Sequence, residues 1–220
     1  QDSTQWASTP LQGTLAQDML DYYKDHGKEV IDAYFGGTTD INNDGKIVVF
    51  VTPEVDEFGG AVAFVWSGDF FPKTTQNGWP GCPASNEMEM MRYSLSYINL
   101  MSRTENPHYG ALGTVVHEVK HVSSLYNSII RGGGLQPLWI EEGTAEIAKE
   151  MSSRLAWAGA GGPEVGGMAT STFVNDFTEE NYGVIIPLAG TVRYLSSQPN
   201  GVVVTPAGAS SEHSVYGSGW

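Results

Sequence analysis

The sequence predicts an α+β fold in one domain, 1–220. Two long stretches repeat apolar residues at helical spacing, one from Tyr109 and one from near Pro137. Two short runs, 46–51 and 61–66, are apolar and β-branched, as strands are. No internal repeat or linker divides the 220 residues, and a chain of this length can bury a core without disulfides.

The elements follow in order. Residues 10–35 read as helix, with Leu11, Leu15, Met19, Leu20, Tyr22 and Tyr23 near helical spacing. A break is expected at Gly27, then a second piece, Val30 to Phe35, stopped by Gly36-Gly37. Asp40-Ile41-Asn42-Asn43-Asp44-Gly45 is a cluster of turn formers. Lys46 to Val51 follows and is expected as a buried central strand. Gly59-Gly60 introduces the second strand, Ala61 to Trp66. Phe71 to Ser85 reads as loop, and Met88 to Leu100 fits strand or helix equally. Leu112, Val115, Val116, Val119, Val122, Tyr126 and Ile129 form one helical stripe that Gly132-Gly133-Gly134 stops. Pro137 suits the first turn of the next helix, whose core stripe is Ile140, Ile147 and Met151. Val184 to Leu195 is a further helical candidate.

Charge and composition exclude several functions. A net charge of -14 at pH 7 repels phosphate backbones, so no nucleic-acid partner is expected. No apolar run reaches the roughly 18 residues of a membrane span, and an acidic chain lacks a polybasic anchor. The single cysteine, Cys82, excludes an internal disulfide and reads as a small hydrophobe or a half-exposed thiol. The start at Gln1-Asp2-Ser3 and the Gly-rich, Lys-poor composition fit a processed, exported protein.

The segment that carries chemistry is His117-Glu118-Val119-Lys120-His121, followed by Trp139-Ile140-Glu141-Glu142-Gly143-Thr144-Ala145-Glu146. At about 100° per residue, His117 and His121 stack one turn apart and can share a metal ion. Glu118, about 100° from one and 60° from the other, can flank that ion as a general base without binding it. The wheel places Gly113 and Ser124 beside the histidines, opposite the apolar stripe, where two small residues would open a cleft. On the next helix Glu142 faces away from the core stripe and supplies the third ligand. Glu146, one turn on, either accepts a hydrogen bond from a liganding imidazole or lies on a solvated helix face. Glu141 and Glu150 read as solvated. A His-His-Glu set leaves one position of a zinc ion open to water.

These motifs resemble the gluzincin clan of zinc metallopeptidases, and within it the hyicolysin-like family of secreted bacterial neutral metallopeptidases. The spacing of twenty residues between His121 and Glu142 fits the clan. Asn43-Asp44-Gly45-Lys46, Ser85-Asn86-Glu87-Met88-Glu89 and Tyr216-Gly217-Ser218-Gly219-Trp220 fit the family. The resemblance implies a zincin-like mixed sheet packed on helices, with a peptide or protein substrate along an edge strand; Ala61 to Trp66 reads as that edge or as an ordinary core strand. It implies that Glu142 is the clan's third zinc ligand and that a downstream Tyr or His stabilises the oxyanion, with Tyr216 and His213 as candidates. It also implies a helix continuing past Trp220, and so a companion polypeptide beyond that residue.

The expected function is a secreted zinc endopeptidase, since no motif for gripping a free amine is evident. The rival is a metal-binding but inactive binding or adhesion module, against which the intact Glu118 speaks. Asp40-x-Asn42-x-Asp44-Gly45 copies the first half of an EF-hand loop; it reads mainly as a turn into the strand, with calcium at Asp40, Asn42 and Asp44 as the alternative. Val51 at the twelfth position lacks the bidentate carboxylate. His108 reads as a surface or capping residue.

Overall fold

The computed structural model describes residues 11, 13–101, 109–130, 134 and 136–159. Within them the chain is a mixed α+β structure. A small three-stranded sheet packs on helices, and two long helices lie against each other.

The first helices are α1, Leu15–Tyr22, and α2, Lys28–Tyr34. They are joined by one π-helical turn, Tyr23–Gly27, so the helix continues where a break was expected. The reason is close packing. A Cβ on Gly27 would lie 2.6 Å from Val116 Cγ2 and 2.8 Å from Tyr23 Cδ2. The glycine serves contact with a later helix and does not stop its own. Gly36 and Gly37 do stop α2, with φ of +85° and +75°, and the N–H groups of Phe35 and Gly37 both reach Ile31 O at 3.0 Å.

The strands are β1, Val48–Thr52; β2, Ala63–Val65; and β3, Met90–Ser94. A short helix α3, Glu54–Phe58, links β1 towards β2, and α4, Leu95–Met101, follows β3 directly. Met88 to Leu100 is therefore both strand and helix. The sheet order is β1-β3-β2, with β1 parallel and β2 antiparallel to β3. Among the described residues β1 is thus an edge strand, half-buried along most of its length, and β3 takes the central place expected of it. β3 is buried at Met90, Met91, Tyr93 and Ser94, which a central strand requires.

One sheet face carries Val49, Val51, Ala63, Val65, Met91 and Tyr93 into the core. The other carries Phe50, Phe64 and Arg92 in register. Arg92 stacks over Phe64 and Trp66, 5.7 Å from each ring centroid, and its Nη1 meets the buried Asp69 at 2.6 Å. Asp69 also accepts from Asn86, pinning the loop that precedes β3.

The long helices are α5, Tyr109–Ile130, and α6, Leu138–Gly159. Pro137 opens α6, and its carbonyl accepts from the N–H groups of Ile140 and Glu141. Leu112, Val115, Val116, Val119 and Val122 are buried in the core. On α6 the expected stripe of Ile140, Ile147 and Met151 is only half-buried. The buried line there is Ala145, Ala148, Ser152, Ser153 and Ala156. Ser152 and Ser153 lie 3.2 and 3.5 Å from Tyr22 Oη on α1, so this side of α6 packs against the first helix.

Candidate metal centre

Every residue of α5 from 112 to 123 is buried, so the helix has no solvent face over that span. Its apolar side meets the sheet and α1. Its polar side, with His117, Glu118, Lys120 and His121, meets α6. Among the described residues, α6 covers the side of the helix that was expected to open a cleft over the histidines. A Cβ on Gly113 would lie 2.8 Å from Lys149 Cγ, and Ser124 hydrogen-bonds Glu141. At these two positions the small residues admit side chains of α6.

That contact aligns His117, His121 and Glu142, which form a group that can hold a metal ion. His117 Nε2 and His121 Nε2 are 3.0 Å apart, and Glu142 Oε2 lies 3.2 Å from the first and 3.5 Å from the second. Ligands about 2.0–2.1 Å from a tetrahedral ion stand roughly 3.3–3.4 Å from one another, so the triangle has the size of one face of such a polyhedron.

Proton placement makes the fit sharper. His117 Nδ1 lies 3.0 Å from Glu146 Oε1, and His121 Nδ1 lies 2.7 Å from Glu141 Oε1. A carboxylate only accepts, so Nδ1 donates to it; a neutral ring then presents a bare Nε2, and a charged ring donates from Nε2 to Glu142 as well. With both rings neutral, three acceptors face one another, and a metal ion satisfies that arrangement. Without one, burial lowers the imidazole pKa values, but the carboxylates outweigh it. Hydrogen bonds to Glu142 and Glu146 raise His117, and those to Glu141 and Glu142 hold His121 at about 10. Burial raises Glu142, yet its bonds to both histidines push it far below the usual carboxylate range.

Of its two expected places Glu146 takes the one behind His117. Glu141 does not: it is half-buried and joins the ring of His121, Ser124 Oγ and Lys120 Nζ, the last at 3.1 Å. Lys120 is 2% exposed and also donates to Glu141 O at 3.0 Å. The sequence reading missed both residues. The available signal was the Lys120-His121 pair itself, because a lysine inside a buried helix needs a nearby carboxylate. Glu146 has a matching neighbour in Lys149, at 3.7 Å. Each histidine is thus backed by a carboxylate, and each carboxylate by an ammonium. Glu150, expected as solvated, is buried and pairs with Arg154.

Glu118 is buried at 4% exposure, and its Oε2 has no hydrogen-bond partner. Burial raises its pKa; His117 and His121 pull it down, and Glu142 and Glu146 raise it further, for a net rise. An unpaired buried charge costs about 3–5 kcal/mol. That is what burying one or two of the neighbouring valines returns. Stability alone does not explain a glutamate here.

At the other proposed cation site, Asp40 accepts from the N–H groups of Asp44 and Gly45, Asn42 from Asp44, and Asp44 from Lys46. The exposed turn is closed from within. It is anchored by the buried Glu89, whose Oε1 accepts from Thr39 Oγ1 at 2.6 Å and Ile41 N at 2.9 Å. Cys82 is a half-buried free thiol. Among the described residues no helix is long and apolar enough to cross a membrane. His108, His213, Tyr216, Trp220 and the piece Val184 to Leu195 fall outside the described residues. No protein-family model matches the chain, and no curated protein matches it.

Proposed function

We propose that the protein is a secreted zinc-dependent endopeptidase whose metal centre is of the gluzincin kind, with a zincin-like fold around it. One observation carries this reading. Two imidazole Nε2 atoms and a carboxylate oxygen converge from two helices while the glutamate between the histidines keeps an unpartnered oxygen.

His117, His121 and Glu142 would hold the ion, and an N,N,O donor set with a fourth open position suits zinc. When bound, the cation supplies a Lewis acid and acidifies a coordinated water towards a pKa of about 7. The chain's own groups do the rest. Glu146 and Glu141 fix the tautomer and orientation of the two imidazoles. Glu118 takes the proton of the attacking water on Oε2 and returns it to the leaving amine. Its raised pKa brings it closer to that of a group that both accepts and gives a proton near neutrality. Tyr216 and His213 are the candidate donors to the oxyanion, on the family resemblance.

The test is Glu118→Gln, which keeps the shape and removes the base. Metal content should stay at the wild-type level while peptide hydrolysis falls by about a hundredfold or more. Retention of about a tenth of the wild-type rate would remove Glu118 from this role, since general-base loss costs far more.

A further inference from the structure

A cavity of about 660 Å³ opens between the start of β2 and the turn from β3 into α4. Val55, Val62, Tyr97 and Leu100 give it apolar walls, and Asp56 adds a carboxylate. Gly59 and Gly60, at φ +67° and +88°, have nothing within 4 Å of where a Cβ would stand, so the rim beside them is open. No lysine, arginine or histidine lines the cavity. Among the described residues no cation pairs with Asp56.

Asp56 is held as an anion. Its Oδ1 accepts from Ser94 Oγ and Ser96 Oγ, and its Oδ2 from Ser96 N–H at 3.2 Å. Burial acts to raise its pKa, and these hydrogen bonds outweigh it, so the net shift is down. A carboxylate has about four acceptor positions, and three are used, which leaves Oδ2 room for one more donor.

We infer that this cavity takes the lysine or arginine side chain of a polypeptide, with its aliphatic stem against Val62, Tyr97 and Leu100 and its cationic head at Asp56. The shape suits a long stem with a polar tip. The charge suits it as well. Glu54 and Glu57 flank Asp56 on α3, and the chain carries -14 overall. The position ties the cavity to the metal centre. Tyr97, one of its walls, hydrogen-bonds Thr114 on α5. Thr114 precedes Glu118 by one helical turn, about 6 Å along the axis. That the ligand is a polypeptide rests on the peptidase reading; that it is cationic rests on the cavity alone.

The test uses short fluorescent peptides, identical except for one central Lys, Arg, norleucine or Glu. Their binding to metal-loaded Glu118→Gln protein is followed by anisotropy, and cleavage sites of the wild type in casein are mapped by mass spectrometry. Lys and Arg peptides should bind about fivefold or more tighter than norleucine, with Glu weakest, and raised salt should shrink the difference. Asp56→Asn, which keeps an acceptor for Ser94 and Ser96, should abolish the preference. Leu100→Lys, which puts a cation at the wall and leaves Asp56 untouched, should abolish it too. Equal binding of Lys and norleucine peptides, or a preference that survives in both variants, would overturn the inference. Hydrolysis without a basic residue at a fixed position also counts against the cavity and leaves the peptidase reading standing. Selective binding without hydrolysis upholds the cavity and removes that reading.

Discussion

The ammonium of Lys120 sits 3.1 Å from Glu141 Oε2, and Glu141 Oε1 sits 2.7 Å from the Nδ1 of His121. The lysine balances a carboxylate that orients a candidate metal ligand; the lysine is buried and the glutamate half-buried. Lys120→Met keeps the stem and leaves Glu141 without its cation. Breaking a buried pair from one side costs about 3–5 kcal/mol. Lys120→Met should lose that much in chemical denaturation. The double variant Lys120→Met/Glu141→Gln should lose clearly less than the two single losses together. Additive losses would mean that the pair is not coupled.

Metal affinity should rank the acidic residues of α6. Glu142→Ala removes the oxygen shared by both Nε2 atoms. Glu146→Ala removes only the acceptor behind His117, a kind of loss that costs about 10–100-fold in affinity. Competition with a chelating dye should therefore show the larger defect for Glu142→Ala. The reverse order would make Glu146 the ligand.

Protons compete with the metal at the histidines. In the metal-stripped protein the pKa values of His117 and His121 are raised, the latter to about 10. Their protonation stabilises the stripped fold below the unfolded value of about 6.5, and that stability is lost as pH rises towards the folded value. Metal requires the neutral rings, so its contribution runs the other way. The Tm difference between loaded and stripped protein should widen from mild acid to mild alkali. A difference that stays constant over that range would show that these histidines do not hold the metal.

Gly27 tests how the first helices seat on α5. With Val116 Cγ2 only 2.6 Å from the position of a Cβ, Gly27→Ala must push the helices apart. A loss of about 1–3 kcal/mol is expected on unfolding, although alanine is the better helix former. A stabilised variant would contradict the close approach.

Several features were legible in the sequence because a local rule set them. α5 and α6 follow from periodicity, and the end of α2 follows from Gly36-Gly37. His117 and His121 follow from one-turn spacing, and Glu142 from its place on the next helix, although the apolar stripe used to orient that helix is only half-buried. What was not legible depends on tertiary contact. Gly27 read as a breaker because nothing local reveals Val116 across the interface. β1 read as central because β-branched composition does not distinguish an edge strand from an inner one. Gly113 and Ser124 read as the walls of a cleft, when smallness can equally mean that another helix is near. Glu141 read as solvated because the wheel of one helix does not show that His121, Ser124 and Lys120 cover it.

The most direct measurement is casein hydrolysis by the purified protein before chelation, after it, and after zinc is restored. Activity should be present, vanish with the metal and return with zinc. Hydrolysis untouched by complete metal removal, or none from protein carrying its zinc, would contradict the account.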